Sequence, residues 1–285
     1  MLAGHTDEVP TALITGASTG IGRATALRLA ASDWTVLAGV RKTADGEALR
    51  TDGGERVIPL QLDVTDSAQI EQAAEQVGEL APGGLDALVN NAGSAVGGPL
   101  ELISMDDLRR QFDVNFFGHV AVTQALIPAL RRARGRIVLI SSVGGLLTTP
   151  YLAPYHASKY ALEAAANSLR LELARSHIQV ALIEPGSVAT PIWEKNRGQV
   201  DEFSVPEELR EQYGHVPAAM AKALHNTARR GIPPERVAQT IERALSARRM
   251  RARYLIGRDA HAMVWASRLL PDLLFDRLLR RAVGV

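Results

Sequence analysis

Hydrophobic residues along the chain form short continuous runs separated by longer stretches with helical periodicity. Runs that are apolar throughout, instead of alternating, are typical of strands in a parallel sheet covered on both faces. The predicted strands are residues 11–15, 34–40, 56–62, 85–90, 135–142, 178–184 and 252–257, and the predicted helices lie near 20–31, 67–80, 105–132, 155–175 and 234–248.

The regular alternation of strand and helix predicts an α/β fold built as a doubly wound parallel sheet of about seven strands, with helices on both faces. We expect one domain over residues 1–257 and a C-terminal helical extension over residues 258–285. Residues 192–231 interrupt the alternation with polar sequence that contains Pro and Gly. Such an excursion indicates a substrate lid.

The amino-acid composition argues against several classes of function. The 32 Lys and Arg against 31 Asp and Glu give a net charge of +1, which provides no global attraction for nucleic acid. The absence of cysteine excludes disulfides, thiolate metal sites and a cysteine nucleophile. The seven histidines show no metal-ligand spacing, so we expect no metal. The first ten residues lack the features of a signal peptide and no apolar stretch is long enough to span a membrane, which predicts a cytoplasmic protein.

The segment TGASTGIG, residues 15–22, follows the first strand and opens the first helix. Gly16, Gly20 and Gly22 permit positive φ and a close approach of backbone to phosphate, and a helix N terminus presents free N–H groups to it. An ordinary strand-to-helix turn is the alternative, because the G-x-x-x-G-x-G spacing departs from the commonest fingerprint. The strand before and the helix after favour a Rossmann-type dinucleotide site.

The end of the second predicted strand indicates which dinucleotide is bound. A site that reads the ribose hydroxyls would carry an acid there, whereas this strand ends in Gly39-Val40-Arg41-Lys42. A guanidinium can pair with a 2′-phosphate, so NADP(H) is favoured over NAD(H). The alternative is that Arg41 and Lys42 are solvated charges.

Tyr155 differs from its neighbours Tyr151 and Tyr160 because it alone has a lysine, Lys159, four residues later. This spacing places the two side chains on one helix face. An ammonium about 5 Å away at an effective dielectric of ~20 would favour phenolate by roughly 3 kcal/mol, or about two pKa units. Tyr155 would then suit acid–base catalysis, although a core tyrosine and a solvated lysine would show the same spacing. The pair Ser141-Ser142, at the end of a predicted strand upstream, favours a site.

Seven ordered motifs between about Thr11 and Gly257 resemble the short-chain dehydrogenase/reductase family, in its single-domain branch with Tyr-x-x-x-Lys. They are TGASTGIG (15–22), LDVT (62–65), NNAG (90–93), DVNFFG (113–118), SSVGG (141–145), YHASK (155–159) and PGSVAT (185–190). The Val40-Arg41 end of the second strand and the SVGG segment are similar to hydroxysteroid and retinol dehydrogenases within it.

This resemblance implies a catalytic tetrad of Asn115, Ser142, Tyr155 and Lys159. Ser142, chosen over Ser141, would orient the substrate oxygen, and Tyr155 would exchange its proton. Lys159 would lower the phenol pKa and hold the nicotinamide ribose, while Asn115 would fix a water. The implied cofactor-binding residues are Gly16, Ser18, Thr19, Gly20, Ile21, Gly22, Arg41, Asp63, Val64, Asn90, Ala92, Gly93, Tyr155, Lys159, Pro185, Gly186, Val188 and Thr190.

Apolar residues around the tyrosine and in the lid predict a lipophilic alcohol, ketone or aldehyde as substrate, although they could equally be ordinary core. The lid carries Ile192, Trp193, Phe203 and Tyr213, and the segment before Tyr155 carries Leu146, Leu147, Tyr151 and Leu152.

The C-terminal segment from Arg248 to Val285 is strongly basic, with nine arginines against three aspartates. Leucines at helical spacing run through it, interspersed with arginines. We expect the apolar stripe to dock on the domain or on a second subunit; peripheral contact with an anionic membrane is the other interpretation.

The sequence therefore predicts an NADP(H)-dependent oxidoreductase that interconverts an alcohol and its carbonyl, as a homodimer or homotetramer built from the long helices. A catalytically inactive nucleotide-sensing protein of the same fold is the alternative, but such proteins usually lack part of the tetrad. An epimerase or dehydratase would add an acid near the serine, and residues 143–150 contain none.

Overall fold

The strands of the computed structural model form one seven-stranded sheet in which every neighbouring pair is parallel. The structure describes residues 9–190, 192 and 205–283. The strands are β1 (Thr11–Thr15), β2 (Thr35–Val40), β3 (Val57–Gln61), β4 (Ala87–Asn90), β5 (Arg136–Ile140), β6 (Gln179–Pro185) and β7 (Arg253–Ile256). Their spatial order, β3-β2-β1-β4-β5-β6-β7, confirms the predicted doubly wound sheet.

Helices connect the strands and cover the sheet. They are α1 (Gly20–Ala31), α2 (Thr43–Gly53), α3 (Ser67–Leu80), α4 (Met105–Phe112), α5 (Gly118–Ala133), α6 (Ala153–Glu172), α7 (Val216–Arg230), α8 (Pro234–Ser246), α9 (Arg258–Leu269) and α10 (Asp272–Val283). The chain order reverses between β1 and β4, so a crevice opens beyond the carboxyl ends of these central strands.

Alternate residues of β1 to β6 enter two separate hydrophobic cores, which explains why these strands are largely apolar throughout. In β1, Ala12 and Ile14 pack into the core that also contains Leu29 of α1 and Ile241 of α8. Leu13, between them, packs into the opposite core with residues of α3, α5 and α6. Because both faces are buried, no position in β1 tolerates a solvated side chain.

Two features of the helices differ from the sequence prediction. The predicted helix 105–132 is divided into α4 and α5 by a π-helical turn at Asp113–Phe117, since one extra residue enters the helical path there. Helix α2 was not predicted, because it buries only Gly46 and Leu49 and has little apolar pattern. The described part of the predicted lid contains a 3-10 turn at Glu207–Leu209, a one-turn helix at Arg210–Tyr213, and α7.

The C-terminal helices α9 and α10 leave much of their apolar surface uncovered. Leu273 is 83% exposed, and Trp265, Leu269, Leu274 and Leu278 are also exposed. These side chains are therefore not docked on the chain's own domain. Within the described ranges, no helix is long and apolar enough to cross a membrane.

Candidate active site

The glycine-rich turn between β1 and α1 has the backbone conformation that its sequence predicts. Gly16 and Gly20 adopt φ values of +64° and +57°, a region that L side chains rarely enter. A Cβ added at Gly22 would lie 2.4 Å from the Gly16 carbonyl oxygen, so only glycine fits. No side chain caps the N terminus of α1, where Gly20 and Ile21 line a cleft. Its amide groups are therefore placed to receive an anion.

Asn91 ties the glycine turn to the end of β4. The Thr15 Oγ1 accepts hydrogen bonds from the amides of Asn91 and Ala92 at 2.9 and 3.0 Å. The Asn91 side chain donates in return to the carbonyls of Thr15 and Gly16 at 2.9 and 3.1 Å. Asn90 is among the cofactor-binding residues implied by the family resemblance, whereas Asn91, which lines the cleft, is not.

Asn90 points away from the cleft, into the protein. Its side chain is fully buried, and its Nδ2 donates to the Thr123 Oγ1 at 2.8 Å. Since alternate residues of a strand face opposite sides, a one-residue difference in register decides which asparagine reaches the turn. The Asn90 side chain therefore does not line the cleft, and its contact with a cofactor stays a prediction.

Arg41 and Asp63 mark the end of the cleft at β2 and β3. Arg41 is exposed and lines the cleft directly before α2. Asp63 is held in place, because its Oδ1 accepts from the amide and hydroxyl of Thr65 at 3.0 and 2.8 Å. This end of the cleft therefore combines an accessible guanidinium with a fixed carboxylate.

Three predicted catalytic side chains meet beyond the carboxyl end of β5. The Ser142 Oγ accepts from the Gly144 amide at 3.0 Å and shares a hydrogen bond with the Tyr155 phenol. The Lys159 Nζ donates to the Ile140 carbonyl at 2.7 Å and lies 5.9 Å from the centroid of the Tyr155 ring. All three side chains are buried and line the cleft.

Burial governs the protonation of this cluster. It raises the pKa of the Tyr155 phenol, and the hydrogen bond with Ser142 opposes this only in part. Burial also lowers the pKa of Lys159 to about 8, against an opposing effect of Glu163. In both groups burial disfavours the charged form, so the Tyr155 phenol is neutral at pH 7. The lowering of the phenol pKa by Lys159 stays a prediction.

Asn115 occupies the π-helical turn between α4 and α5 and is fully buried. Its Oδ1 accepts from the Ser94 amide at 2.9 Å, and its Nδ2 donates to the Ser94 carbonyl at 3.0 Å and to the Ser158 Oγ at 3.1 Å. Asn115 thus holds the loop after β4 against α6, three residues from Tyr155. The water-binding role implied by the family resemblance stays a prediction.

The loop after β6, residues 185–190, borders the cleft beside the catalytic cluster. Asp259, at the start of α9, accepts from the Ser187 amide at 2.9 Å. A Cβ added at Gly186 would lie 2.6 Å from the same carboxylate, so the loop and α9 are tightly packed. Sequence analysis missed Asp259 because 72 positions separate it from Ser187 and no local pattern joins them.

His156 is a third residue, after Asn91 and Asp259, that was not predicted from the sequence. Its Nε2 accepts from the Thr149 amide at 3.1 Å, and its Nδ1 donates to the Gly144 carbonyl at 3.0 Å. Burial lowers its pKa, which keeps the ring neutral in this tautomer. His156 therefore holds the serine loop against the helix that carries Tyr155.

The predicted substrate-lining residues separate into three groups. Leu147, Leu152 and Ile192 line the cleft, where Val96 and Met263 join them. The Tyr151 hydroxyl instead forms a hydrogen bond with His215 at 3.1 Å, the Tyr213 hydroxyl donates to Glu101 at 2.8 Å, and Leu146 is not part of the lining. Trp193 and Phe203 lie outside the described residues.

The cleft has a volume of about 590 Å³, within the range of small-molecule sites. It joins the uncapped N terminus of α1 to the buried Lys159, an arrangement that fits a dinucleotide. Of the predicted site residues, Gly22, Asn90 and Asn115 do not line it. Those that do are Gly16, Ser18, Thr19, Gly20, Ile21, Arg41, Asp63, Val64, Ala92, Gly93, Ser142, Tyr155, Lys159, Pro185, Gly186, Val188 and Thr190.

The known proteins that are similar to this chain include dehydrogenases and reductases. The sequence model of the short chain dehydrogenase family matches residues 10–201. The chain is 33% identical over 273 residues to the NADPH-dependent 3-dehydrocapnine reductase of Ornithobacterium rhinotracheale, covering 94% of this chain and 95% of that protein. It is 33% identical over 272 residues to the 3-ketodihydrosphingosine reductase of Bacteroides thetaiotaomicron, covering 94% and 96%. Estradiol 17-beta-dehydrogenase 2 of Mus musculus is 35% identical over 284 residues, covering 94% of this chain and 74% of that protein.

Solved structures share the whole architecture. A short chain dehydrogenase/reductase from Burkholderia phymatum in complex with NAD matches with a TM-score of 0.77 and 28% identity, covering 92% of this chain and 94% of that one. A short chain dehydrogenase from Burkholderia cenocepacia in complex with NADP matches with a TM-score of 0.73 and 26% identity, covering 95% and 98%. The chain therefore belongs to the short-chain dehydrogenase/reductase family and is an NAD(P)-dependent oxidoreductase.

Proposed function

We propose that the protein is an NADP(H)-dependent reductase of a lipophilic ketone or aldehyde. The observation that carries the proposal is the arrangement of Tyr155, a buried neutral phenol that shares a hydrogen bond with Ser142 and lies beside Lys159. A neutral phenol can give its proton to a carbonyl oxygen that becomes an alcohol. At neutral pH this protonation state favours reduction over oxidation.

The residues around the cleft have separate tasks in this chemistry. Ser142 orients the substrate oxygen, and Tyr155 protonates it. Lys159 holds the nicotinamide ribose hydroxyls, while the amides at the start of α1 bind the pyrophosphate. The bound cofactor supplies the hydride. The protein itself contributes position and proton transfer.

The preference for NADP(H) rests on the end of the cleft at Arg41. No acid stands directly after β2, where the chain continues with Arg41 and Lys42, and the first acid is Asp45 in the first turn of α2. Arg41 forms no ion pair with any residue that the structure describes. Helix α2 begins two residues later without a side-chain cap. A guanidinium beside uncapped amides favours a phosphate over a hydroxyl. The name of the Ornithobacterium relative specifies NADPH, whereas the Burkholderia structures contain either NADP or NAD.

Replacing Arg41 by alanine should raise the Kd of NADPH about 10- to 100-fold, because a charge-assisted hydrogen bond to phosphate is lost. The Kd of NADH should stay nearly unchanged. Both constants can be measured by titrating the fluorescence of the reduced cofactor. Arg50→Ala, in the last turn of α2 and away from the cleft, is the matched control. Tighter binding of NADH than of NADPH by the parent protein would contradict the preference.

The lipophilic substrate rests on the part of the cleft beyond Tyr155, which is lined by Val96, Leu147, Leu152, Ile192 and Met263. Relatives named for estradiol and for 3-ketodihydrosphingosine are consistent with this character. The test is NADPH oxidation with panels of steroid ketones, long-chain ketones, retinal and small polar carbonyls. Preference for the polar panel would refute the substrate class, and cofactor binding without any turnover would favour the nucleotide-sensing alternative.

A homo-oligomer built through the long helices is part of the proposal. Phe117, Tyr160 and Leu171 are exposed large hydrophobics on or next to α5 and α6, and Leu171 is 68% exposed. We expect Leu171→Glu to convert a dimer or tetramer to a smaller species, since a buried unpaired charge is unfavourable in an interface. Light scattering coupled to gel filtration measures this, with Glu172→Gln as the control. A monomeric parent protein would exclude the interface.

The exposed faces of α9 and α10 are open to a second subunit or to an anionic membrane. We favour the subunit, because these apolar side chains are exposed and do not dock on the chain's own domain. The cytoplasmic location stays a prediction.

A further inference from the structure

A buried group of charged side chains lies next to the catalytic lysine. It consists of Glu163 on α6, Glu184 on β6 and Arg253 on β7, and the two glutamates are only 6% and 2% exposed. Arg253 Nη1 donates to both carboxylates, and its Nη2 donates to the Asn167 Oδ1 at 3.3 Å. Two acids thus share one guanidinium. When both are ionised, one negative charge has no partner within this group.

Glu163 is the member of this group that is close to Lys159. It follows Lys159 by four positions in α6, so the two side chains emerge on the same helix face. A Cβ added at Gly145 would lie 3.0 Å from the Glu163 Cγ and 2.9 Å from the Ser141 Oγ, which places Glu163 against the serine turn. The Glu163 Oε1 is buried without a hydrogen-bond partner among the described residues. Arg253 therefore does not provide hydrogen bonds to both oxygens of this carboxylate.

The other polar groups that face Lys159 supply no negative charge. The Ile140 carbonyl accepts its hydrogen bond, and the Tyr155 phenol is neutral. His119 forms a hydrogen bond with the Ala92 carbonyl at 2.6 Å, and burial lowers its pKa to about 3. Among the residues that the structure describes, Glu163 is the one that opposes the desolvation disfavouring the ammonium.

Glu184 shares the same guanidinium. Burial raises its pKa and the nearby Glu163 raises it further, while Arg253 opposes both effects. Of the two carboxylates that Arg253 bonds, Glu163 is the one that lies beside the lysine.

We propose that Glu163 is a positioning residue of the reaction: its carboxylate, clamped by Arg253, keeps the Lys159 ammonium charged at neutral pH within the buried cleft. Without the negative charge of Glu163, Lys159 would become a neutral amine. It would then no longer attract the phenol electrostatically, and it would be a weaker hydrogen-bond donor to ribose hydroxyls. The proposal rests on the proposed function for its activity readout, but the titration of the lysine can be observed without turnover.

The first experiment titrates the lysines directly. The chain has four lysines, Lys42, Lys159, Lys195 and Lys222, so ¹³C-lysine labelling gives a spectrum that Lys159→Met can assign. Glu163→Gln should lower the pKa of Lys159 by about one unit or more, the effect expected for loss of a neighbouring opposite charge. Glu163→Met, which removes the charge but retains apolar volume, should give the same displacement if the Gln variant folds poorly.

Two variants separate this role from a structural one. Glu184→Gln removes the other Arg253 contact, and Glu163→Asp retains the charge, so both should leave the lysine titration near that of the parent. If Glu163→Gln and Glu184→Gln shift the titration equally, or if neither shifts it, the proposal is wrong.

The second readout is the pH dependence of kcat/KM for carbonyl reduction. Activity should fall at the pH where Lys159 loses its proton, and Glu163→Gln should move this loss to lower pH by the displacement seen in the spectra. An unchanged profile in an active variant would overturn the positioning role. Absence of turnover in the parent protein would instead refute the proposed function and leave the lysine titration as the test.

Discussion

Tyr155→Phe should lower kcat for carbonyl reduction about 10²- to 10⁴-fold, the range associated with loss of a general acid. The phenylalanine ring retains the packing of a side chain that is only 9% exposed, so folding should be preserved. The Kd of NADPH should change little, because the variant retains Lys159, which we propose holds the nicotinamide ribose. Stopped-flow turnover and fluorescence titration of the cofactor measure the two effects separately.

Tyr160→Phe is the matched control, since Tyr160 lies on the same helix but is 43% exposed and does not line the cleft. It should retain the parent's activity. Because burial raises the pKa of the Tyr155 phenol, the acid form persists through neutral pH. Oxidation of the alcohol, which needs phenolate, should therefore increase with pH in the alkaline range. Substantial activity in Tyr155→Phe would reject the acid–base role.

Lys159→Met should have effects of opposite sign on activity and stability. Turnover should fall roughly 100-fold or more, because the cleft loses its buried cation and the Tyr155 phenol loses the positive charge beside it. The free energy of unfolding at neutral pH should rise by about 1–2 kcal/mol, since removing a desolvated ammonium outweighs the lost hydrogen bond to the Ile140 carbonyl.

The pH dependence of this stabilisation follows from the pKa of Lys159. The unfolded chain binds the proton up to its ordinary pKa of 10.5, but the folded chain binds it only up to about 8. The parent protein therefore loses stability as pH falls from 10.5 to about 8, and the full penalty applies below that. The advantage of Lys159→Met should consequently be large at about pH 7 and small at about pH 10.

Denaturant unfolding of both proteins at the two pH values measures this difference. Lys222→Met, on α7 and outside the cleft lining, controls for the loss of a lysine as such. Lys159→Met should be neither less stable than the parent at neutral pH nor equally active. Either result would contradict the interpretation of Lys159 as a desolvated cation that takes part in the reaction.

The order of the elements was predictable because the local pattern is strong. Each strand of the sheet is apolar on both faces, and Gly16, Gly20 and Gly22 stand where a tight turn must join strand to helix. The weakly patterned helix α2 and the π-helical turn at Asp113–Phe117 were not predictable. Helix α2 depends on its packing against the rest of the chain. The π-helical turn depends on one extra residue within a helix.

At the site, the sequence indicated the chemical groups but not their environment. The spacing of Tyr155 and Lys159 predicted that they share a helix face, and they do. Whether the phenol pKa rises or falls depends on burial, which residues far apart in the chain create together. For the same reason the sequence analysis chose Asn90, whereas the strand register presents Asn91 to the glycine turn.

The sequence by itself determined the parallel sheet, the glycine turn and the shared helix face of Tyr155 and Lys159, because periodicity and short spacings are local properties. Only the tertiary structure decided the protonation of those side chains, the contact of Asp259 with the loop after β6, and the burial of Glu163 with Glu184 and Arg253. Desolvation and charge pairing are set by every element around a group, and no single segment of the chain contains that information.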